Sequence, residues 1–370
     1  MRIVFTTGGA YIPEIFGGAE CSIDQLVGEL ATRGHASEVV TGVRGRYGRV
    51  RHIVSRFAAL GSSAGLPDQR NGYETWRVPP AYLPAALRER LRAFRPDLLV
   101  AWNQGCEEAA ALAMEASVPA MIWVPDVGFE WHRSQLPAGP CVVLAGASQF
   151  VADRIRERLG RQARVLRPLI RFEAYRATDA APEHMTLVNP REHKGLEVAL
   201  AVAALLPRRK LLLVDSWQIS PEERAALARR IAPLPNVALQ PWVSDMRTVY
   251  GRTSVLLVPS QCEDAAPRVI LEAQSSGVPA VGSQIGGIPE VLGDGGAIVP
   301  AGAPPERWVE AVENVLSRRE ELALLARSNA ARSDFGSEAI TEQFLSIAGD
   351  LVAAARPAAV AARPLAPIAS

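Results

Sequence analysis

Short apolar runs rich in branched side chains alternate with longer segments of helical periodicity along the chain. Six candidate strands in the first half start at Arg2, Ser37, Asp97, Pro119, Cys141 and Arg164. Six more in the second half start at Met185, Lys210, Asn236, Ser254, Pro279 and Ala297. Strands that alternate with helices are typical of βαβ units, which build parallel sheets. The pattern therefore predicts an α/β protein with two doubly wound, Rossmann-like domains that face each other across a cleft.

The boundary between these domains is predicted where the periodicity is interrupted. A polar stretch at residues 171–183 separates the two series of strands, so we expect a first domain at residues 1–172 and a second at residues 173–335. Ligands of open α/β sheets bind outside the carboxyl ends of the strands. Functional side chains are therefore expected in the loops that follow strands, at the cleft.

The end of the chain shows a different pattern. Apolar side chains at helical spacing in residues 336–354 predict an amphipathic helix that packs back on the domains. These apolar residues are Ile340, Phe344, Ile347 and Leu351. Residues 355–370 are rich in Ala and Pro, and we expect them to be a disordered tail.

The composition is that of an ordinary globular protein, with 48% hydrophobic and 21% charged residues. A net charge of +1 gives no reason to expect nucleic acid as the main partner. No apolar run approaches the roughly 18 residues of a membrane span, and MRIVFTT resembles a core strand rather than a signal peptide. The four cysteines lack CxxC spacing, which favours a reduced, cytoplasmic chain. The five histidines show no metal-ligand spacing, so no metal site is predicted.

Lysine is rare in this arginine-rich chain. Only Lys194 and Lys210 occur among 40 basic residues, and neither follows a glycine, which excludes a Walker phosphate loop. Lys194 lies in VNPREHKG, between a predicted strand and a predicted helix. This context places Arg191 and Lys194 beside backbone N–H groups at the mouth of the cleft, where a phosphate would bind. A solvated basic loop would show the same local sequence.

Two further loops carry candidate ligand contacts. Gly17 and Gly18 precede a predicted helix, where exposed N–H groups attract an anion, although a glycine-rich turn without a ligand has the same pattern. Asp264 lies in a loop, and Glu272 lies eight residues later in a helix that Pro267 would start. Carboxylates in these positions can accept hydrogen bonds from the hydroxyls of a hexose and a ribose.

Taken together, these motifs resemble the retaining glycosyltransferases of the two-Rossmann-domain (GT-B) fold in family 4. The motifs span nearly the whole chain and comprise GGAE, RGH, RPDLLVAW, the Lys-Gly pair, PNV, the spaced acidic pair and GGIPEV before DGG. The resemblance implies a nucleotide-diphosphate sugar donor, such as a UDP- or GDP-sugar, bound mainly in the second domain. It implies an acceptor bound mainly in the first domain, transfer with retention of anomeric configuration, and no cofactor or protein-bound metal.

The resemblance also assigns residues. Lys194 would bind the donor diphosphate and stabilise the departing nucleotide, with Arg191 or Arg268 as a second positive charge. Asp264 would contact the sugar, with Glu263 as a competitor, and Glu272 would bind the ribose. Further donor contacts are expected from Gly17, Gly18, Trp242 and Gly287. Candidates on the acceptor side are Asn103 and Asp126.

Three positions depart from the family pattern. Asn189 replaces an arginine, Pro267 replaces a glycine and Pro125 replaces a histidine. Alternatives are therefore a sugar-nucleotide epimerase or phosphorylase of the same fold, or a sugar-nucleotide-binding protein without turnover. We expect Glu272→Ala to reduce transfer while leaving the fold intact.

Five arginines between Arg44 and Arg56 form a basic stretch with interleaved aromatic residues. Such a stretch can bind a phosphorylated acceptor or anionic lipid, and lipid binding would place the protein peripherally at the inner membrane face. A solvated loop in an arginine-rich protein is the alternative. The sequence leaves the base, the sugar and the acceptor unidentified.

Overall fold

The computed structural model describes residues 1–43, 65, 67–128, 136–216, 219–332 and 334–361. The first domain contains a sheet of strand order β3-β4-β2-β1-β5-β6-β7-β8. Its strands are β1 (Arg2–Thr7), β2 (Ala36–Gly42), β3 (Pro67–Asp68), β4 (Glu74–Val78), β5 (Leu98–Trp102), β6 (Ala120–Val124), β7 (Val142–Gly146) and β8 (Arg164–Val165). All neighbouring pairs are parallel except β3 with β4.

The six strands predicted for this domain are confirmed, and β3 and β4 are additional. Strand β4 has the sequence ETWRV, whose charged residues hide its strand character. In the fold, Arg77 of β4 is buried because it pairs with the equally buried Asp68 of β3 at 3.2 Å. A charge can be buried when a partner of opposite charge satisfies it, and such a long-range pair is not visible in local periodicity.

The second domain contains an all-parallel sheet of strand order β11-β10-β9-β12-β13-β14, with the six strands that were predicted. They are β9 (His184–Val188), β10 (Lys210–Val214), β11 (Val237–Gln240), β12 (Thr253–Val258), β13 (Ala280–Gln284) and β14 (Gly296–Pro300). Central strands such as β9 and β12 are buried along their whole length because helices cover both faces of the sheet.

Helices connect the strands of both sheets. Those of the first domain are α1 (Gly18–Thr32), α2 (Leu83–Phe94), α3 (Cys106–Glu115) and α4 (Gln149–Leu159). Those that follow are α5 (Leu196–Leu205), α6 (Pro221–Ile231), α7 (Arg247–Tyr250), α8 (Arg268–Ser275), α9 (Ile288–Leu292), α10 (Pro305–Ser317), α11 (Arg319–Ala330) and α12 (Ser337–Ala361). Short 3₁₀ turns lie at Pro80–Tyr82, Phe172–Ala174 and Glu192–Lys194.

The C-terminal helix α12 returns to the first domain. Its apolar residues Ile340, Phe344, Ile347 and Leu351 are buried in one cluster with Phe5 of β1, as the predicted packing required. The helix continues to Ala361, so the expectation of a disordered tail from residue 355 is wrong for residues 355–361. Alanine, the residue with the highest helix propensity, dominates this extension. Residues 362–370 lie outside the described part of the chain.

Candidate active site

A cavity of about 800 Å³ lies between the two domains. Its walls come from segments after β1, β5 and β6 in the first domain and after β9, β10, β11 and β12 in the second. Strand order reverses beside β1 and β9, so the cavity lies where open α/β sheets bind ligands. Most of the predicted site residues line it, namely Gly17, Gly18, Asn103, Asp126, Lys194, Trp242, Asp264, Arg268 and Glu272.

Lys194 and Asp264 form an ion pair at this cavity. The Lys194 ammonium donates to Oδ2 of Asp264 at 2.6 Å, and the Ser260 hydroxyl donates to the same oxygen at 3.1 Å. Lys194 ends the 3₁₀ turn after β9, and Gly195 follows with a φ of +83°. A Cβ at Gly195 would lie 1.9 Å from the Pro259 carbonyl oxygen. Glycine is therefore required for the turn that brings the ammonium to the carboxylate.

A second buried ion pair lies on α8. Arg268 and Glu272 are one helical turn apart, with 3.2 Å between Nε and Oε1, and the Tyr250 hydroxyl donates to Oε2 at 2.8 Å. Both side chains are less than a tenth exposed. Burial alone would lower the pKa of Arg268, but the neighbouring Tyr175 and Glu272 raise it above its ordinary value. The guanidinium therefore stays charged and satisfies the buried carboxylate.

Arg268 also connects the two domains. Its guanidinium donates to the Ser22 hydroxyl of α1 at 2.6 Å, to the Leu169 carbonyl and to the Tyr175 hydroxyl at 3.1 Å. A Cβ at Gly18 would approach the Arg268 side chain at 3.3 Å, so the start of α1 lies directly against it. The second positive charge at the cavity therefore comes from a residue anchored in both domains.

Three of the predicted site residues do not line the cavity. Arg191 pairs with Glu223 of α6, and Glu263 pairs with Arg154 of α4. Gly287 instead contributes its backbone N–H, which donates to the Asp264 carbonyl at 2.7 Å. Of the two adjacent acidic residues, the structure thus brings Asp264, and not Glu263, to Lys194.

Sequence reasoning did not select Glu20 as a site residue. This residue lines the cavity from the first turn of α1 and is only 8% exposed. Burial raises its pKa, and the nearby charge of Asp126 raises it further. A Cβ at Gly17 would lie 2.2 Å from Oε2 of Glu20, so Gly17 leaves room for this carboxylate. The GGAE motif contained the signal, but only the fold shows that the glutamate faces the cavity.

The remaining first-domain wall carries polar groups and aromatic rings. Asn103 has a φ of +53°, and its buried Oδ1 has no hydrogen-bond partner within the described residues. Asp126 accepts the Gly128 N–H at 3.1 Å. At the opposite wall, Trp242 lies 5.5 Å from the ring of Phe16 across the cleft.

Asn189, the departure from the family arginine, is also at the cavity. Its Oδ1 accepts from the Ser216 hydroxyl at 2.7 Å. Among the described residues, no group of three or more His, Cys, Asp or Glu side chains is placed to hold a metal ion. Within the same ranges, no helix has the length and apolar character needed to cross a membrane.

Solved structures with the same fold cover almost the entire chain. A glycosyltransferase from Rickettsia africae superimposes with a TM-score of 0.74 and 15% identity, over 95% of this chain and 98% of that one. HepE from Anabaena in complex with UDP-glucose superimposes with a TM-score of 0.70 and 17% identity, over 94% of this chain and 99% of that one. The chain therefore has the GT-B fold of two Rossmann-like domains, as predicted.

Part of the chain is also similar in sequence to one protein family. Residues 185–318, most of the second domain, match the family "Glycosyl transferases group 1". A D-inositol 3-phosphate glycosyltransferase from Segniliparus rotundus is 32% identical over 164 residues, 41% of this chain and 36% of the relative. Spore coat protein SA from Bacillus subtilis is 32% identical over 108 residues, 28% of each chain. The chain thus spans about a third of the length of these curated relatives, and its similarity to the group 1 glycosyltransferases lies in the second domain.

Proposed function

We propose that this protein is a glycosyltransferase that moves a hexose-type sugar from a nucleotide-diphosphate sugar to an acceptor hydroxyl, with retention of anomeric configuration. The observation that carries the proposal is the Lys194–Asp264 pair at the interdomain cavity, with the Arg268–Glu272 pair on the same wall. The presence of UDP and UDP-glucose in complexes of HepE, which shares the fold, supports a nucleotide-sugar donor.

The charges at the cavity suit the separation of a nucleoside diphosphate from a sugar. Lys194 lies at the surface of the cavity, where its ammonium can contact the donor diphosphate and stabilise negative charge as the glycosidic bond breaks. Asp264 is held by Lys194 and Ser260 and has lone pairs left for sugar hydroxyls. Glu272 takes the ribose hydroxyls in this proposal, and its carboxylate stays fixed because Arg268 and Tyr250 hold both oxygens.

Arg268 is the second positive charge in this proposal. It lines the cavity, whereas Arg191 would first have to leave Glu223. The acceptor would bind at the first-domain wall, where Glu20, Asn103 and Asp126 offer oxygen atoms to hydroxyl donors.

Two other expectations remain proposals. We place the protein in the cytoplasm, where nucleotide sugars would be its donors. The expected contact with an anionic membrane concerns Arg44 to Arg56, which lie outside the part of the chain that the structure describes.

Ligand binding followed by product analysis tests the function. We expect UDP or GDP, and one of the sugars UDP-glucose and GDP-mannose, to raise the melting temperature, because a ligand that binds only the folded state stabilises it. With an acceptor mixture, release of the nucleoside diphosphate together with a glycoside of unchanged anomeric configuration would support transfer. An isomerised donor would indicate an epimerase, and binding without turnover would indicate a binding protein. A sugar phosphate formed from a glycoside and added inorganic phosphate would indicate a phosphorylase.

The two lysines provide a matched pair for testing the site. Lys194→Ala should reduce nucleoside diphosphate release by a factor on the order of 100 or more, because a charge that stabilises the leaving group is lost. Lys210 pairs with Glu183 at the surface, so Lys210→Ala should leave release unchanged. Equal activity of the two variants, measured as nucleoside diphosphate release, would refute the assignment of Lys194.

A further inference from the structure

The loop that carries Asp264 is held in place by the other domain. Three consecutive residues have different partners: Glu263 pairs with Arg154 of α4, and Asp264 pairs with Lys194. The Ala265 carbonyl accepts the Ser148 hydroxyl at 2.7 Å. The side chain at the cavity is thus flanked on both sides by residues that the first domain holds.

Ser148 has two roles at once. It is the N-cap of α4, where its oxygen accepts the Val151 N–H at 3.2 Å, while its hydroxyl donates to the Ala265 carbonyl. The side chain is buried, with 1% exposure. Any shift of α4 relative to the second domain therefore acts directly on the peptide next to Asp264.

Glu290 fixes the same helix from the second domain. Its carboxylate accepts the N–H of Gln149 at 3.1 Å and of Phe150 at 3.2 Å, and it accepts from Arg167 at 2.8 Å. These N–H groups belong to the first turn of α4, which has no acceptors of its own for them. A carboxylate there also interacts favourably with the helix dipole. The second domain thus completes the N-terminus of a first-domain helix.

Gly287, which directly precedes α9, packs against the backbone of the Asp264 loop. A Cβ at Gly287 would lie 2.0 Å from the Ala265 carbonyl oxygen and 3.3 Å from the Ser148 oxygen. The Gly287 N–H also donates to the Asp264 carbonyl. The backbone of Asp264 and Ala265 is therefore clamped between Gly287 on one side and Ser148 on the other.

We propose that Ser148 and Glu290 are positioning residues, which fix the Asp264 loop only when α4 of the first domain is docked against the second domain. The role of Asp264 towards the donor sugar rests on the proposed function. The first domain then does more than bind the acceptor, because it sets the geometry of a donor contact. Lys194 and Glu272, which hold the donor nucleotide in the proposed function, line the cavity, whereas Ser148 and Glu290 do not, so the nucleotide should depend less on this contact than the sugar does.

Hydrogen exchange tests the positioning without any ligand. Ser148→Gly removes the bond to Ala265 and costs the helix little, since glycine is a tolerated N-cap. We expect amide exchange in residues 259–267 to increase about threefold to tenfold, the effect of losing one hydrogen bond. Glu290→Gln should have the same effect on that segment. Ser220→Gly, which removes the N-cap of α6, is the matched control and should leave the segment unchanged.

Binding of nucleotides with and without the sugar tests the consequence. In Ser148→Gly and Glu290→Gln, the Kd for UDP-glucose or GDP-mannose should rise about threefold to tenfold. The Kd for UDP or GDP should stay within about twofold of the wild-type value. These nucleotides carry no donor sugar and therefore do not make the contact that is lost. A purely structural role of the two residues would weaken both affinities together.

Two outcomes would overturn the proposal: unchanged exchange in residues 259–267 in both variants, or parallel loss of affinity for nucleotide and sugar nucleotide. If the proposed function itself is wrong, the binding measurement gives a different result. In that case the wild-type protein binds neither UDP-glucose nor GDP-mannose, while the exchange measurement still decides whether Ser148 and Glu290 hold the loop.

Discussion

Among single residues, Glu20 combines a buried carboxylate with a position at the cavity wall. Burial raises its pKa above the ordinary value of 4.5, so the folded protein binds this proton more readily than the unfolded chain. The stability linked to the proton is fully present below the unfolded pKa and is lost as the pH rises through the folded value. Ionisation of this carboxylate therefore costs the folded protein stability, which is consistent with a residue that has a chemical role at the cavity.

The substitution Glu20→Gln should raise the melting temperature by a few degrees at pH 7.5, because it removes a buried charge. This gain should shrink as the pH falls, because the raised pKa of Glu20 favours its protonated, uncharged form in the folded wild-type protein. Scanning fluorimetry of the wild type and of Glu20→Gln between pH 4.5 and 8 measures this difference in melting temperature. The control is Glu222→Gln, since Glu222 is an exposed carboxylate in the first turn of α6 and its pKa is lowered. A gain for Glu20→Gln that did not depend on pH would contradict the argument.

The Arg268–Glu272 pair changes an expectation drawn from the sequence. Glu272→Ala leaves the Arg268 guanidinium buried without its carboxylate, so we expect the free energy of unfolding to fall by about 3–5 kcal/mol. The sequence alone led us to expect an intact fold in this variant, and the buried pair leads us to expect a loss of stability as well. The double variant Arg268→Met/Glu272→Leu should lose less free energy of unfolding than the single variants Arg268→Met and Glu272→Leu lose in total, because neither charge remains unpaired. Urea denaturation of all four proteins measures this coupling, and additive losses would refute it.

Among the structural elements, the turn before α5 determines where Lys194 points. Gly195→Ala should lower stability by several kcal/mol and displace Lys194, because the new Cβ would collide with the Pro259 carbonyl. Gly160 ends α4 with a φ of +63°, but a Cβ there meets nothing within 4 Å. Gly160→Ala should therefore cost only the backbone strain, about 1–2 kcal/mol. Chemical denaturation compares the two variants, and equal losses would show that the contact with Pro259 is unimportant.

Elements with strong local signals could be predicted, and those that depend on distant partners could not. The central strands β1, β9 and β12 each contain a run of apolar, mostly branched side chains, and glycines mark the turns before α1 and α5. Strand β4 was missed because its arginine is neutralised by a residue nine positions earlier. The order of Lys194, Asp264 and Glu272 along the chain was visible from motifs. The hydrogen bonds from the N-terminus of α4 to Ala265 and to Glu290 cross between domains, and no local pattern encodes them.

For the whole molecule, contacts between the domains lie close to the site. Arg268 reaches α1, Ser148 joins α4 to the Asp264 loop, Glu290 joins α9 to α4, and the cavity lies close to these contacts. Relative motion of the domains would thus alter the cavity and its ion pairs together. Helix α12 differs, because it follows the second domain in the chain but packs far into the first-domain core.

Helix α12 should stabilise the first domain without affecting the proposed donor site. Phe344 is fully buried and stacks on Phe5 of β1 with ring centroids 6.2 Å apart. Phe344→Ala should cost about 3–5 kcal/mol through the cavity it creates. Hydrogen exchange should then increase in β1 and α1, while the Kd for UDP or GDP stays unchanged.

The control for this prediction is Leu324→Ala on α11, since Leu324 is 67% exposed and contributes little to the core. If exchange in Phe344→Ala increased equally in β9 and β12, the two domains would unfold as one unit and α12 would support both. A local increase confined to the first domain would show instead that the chain crosses back to complete a separate core. The second-domain wall of the cavity would then remain folded when the first domain opens.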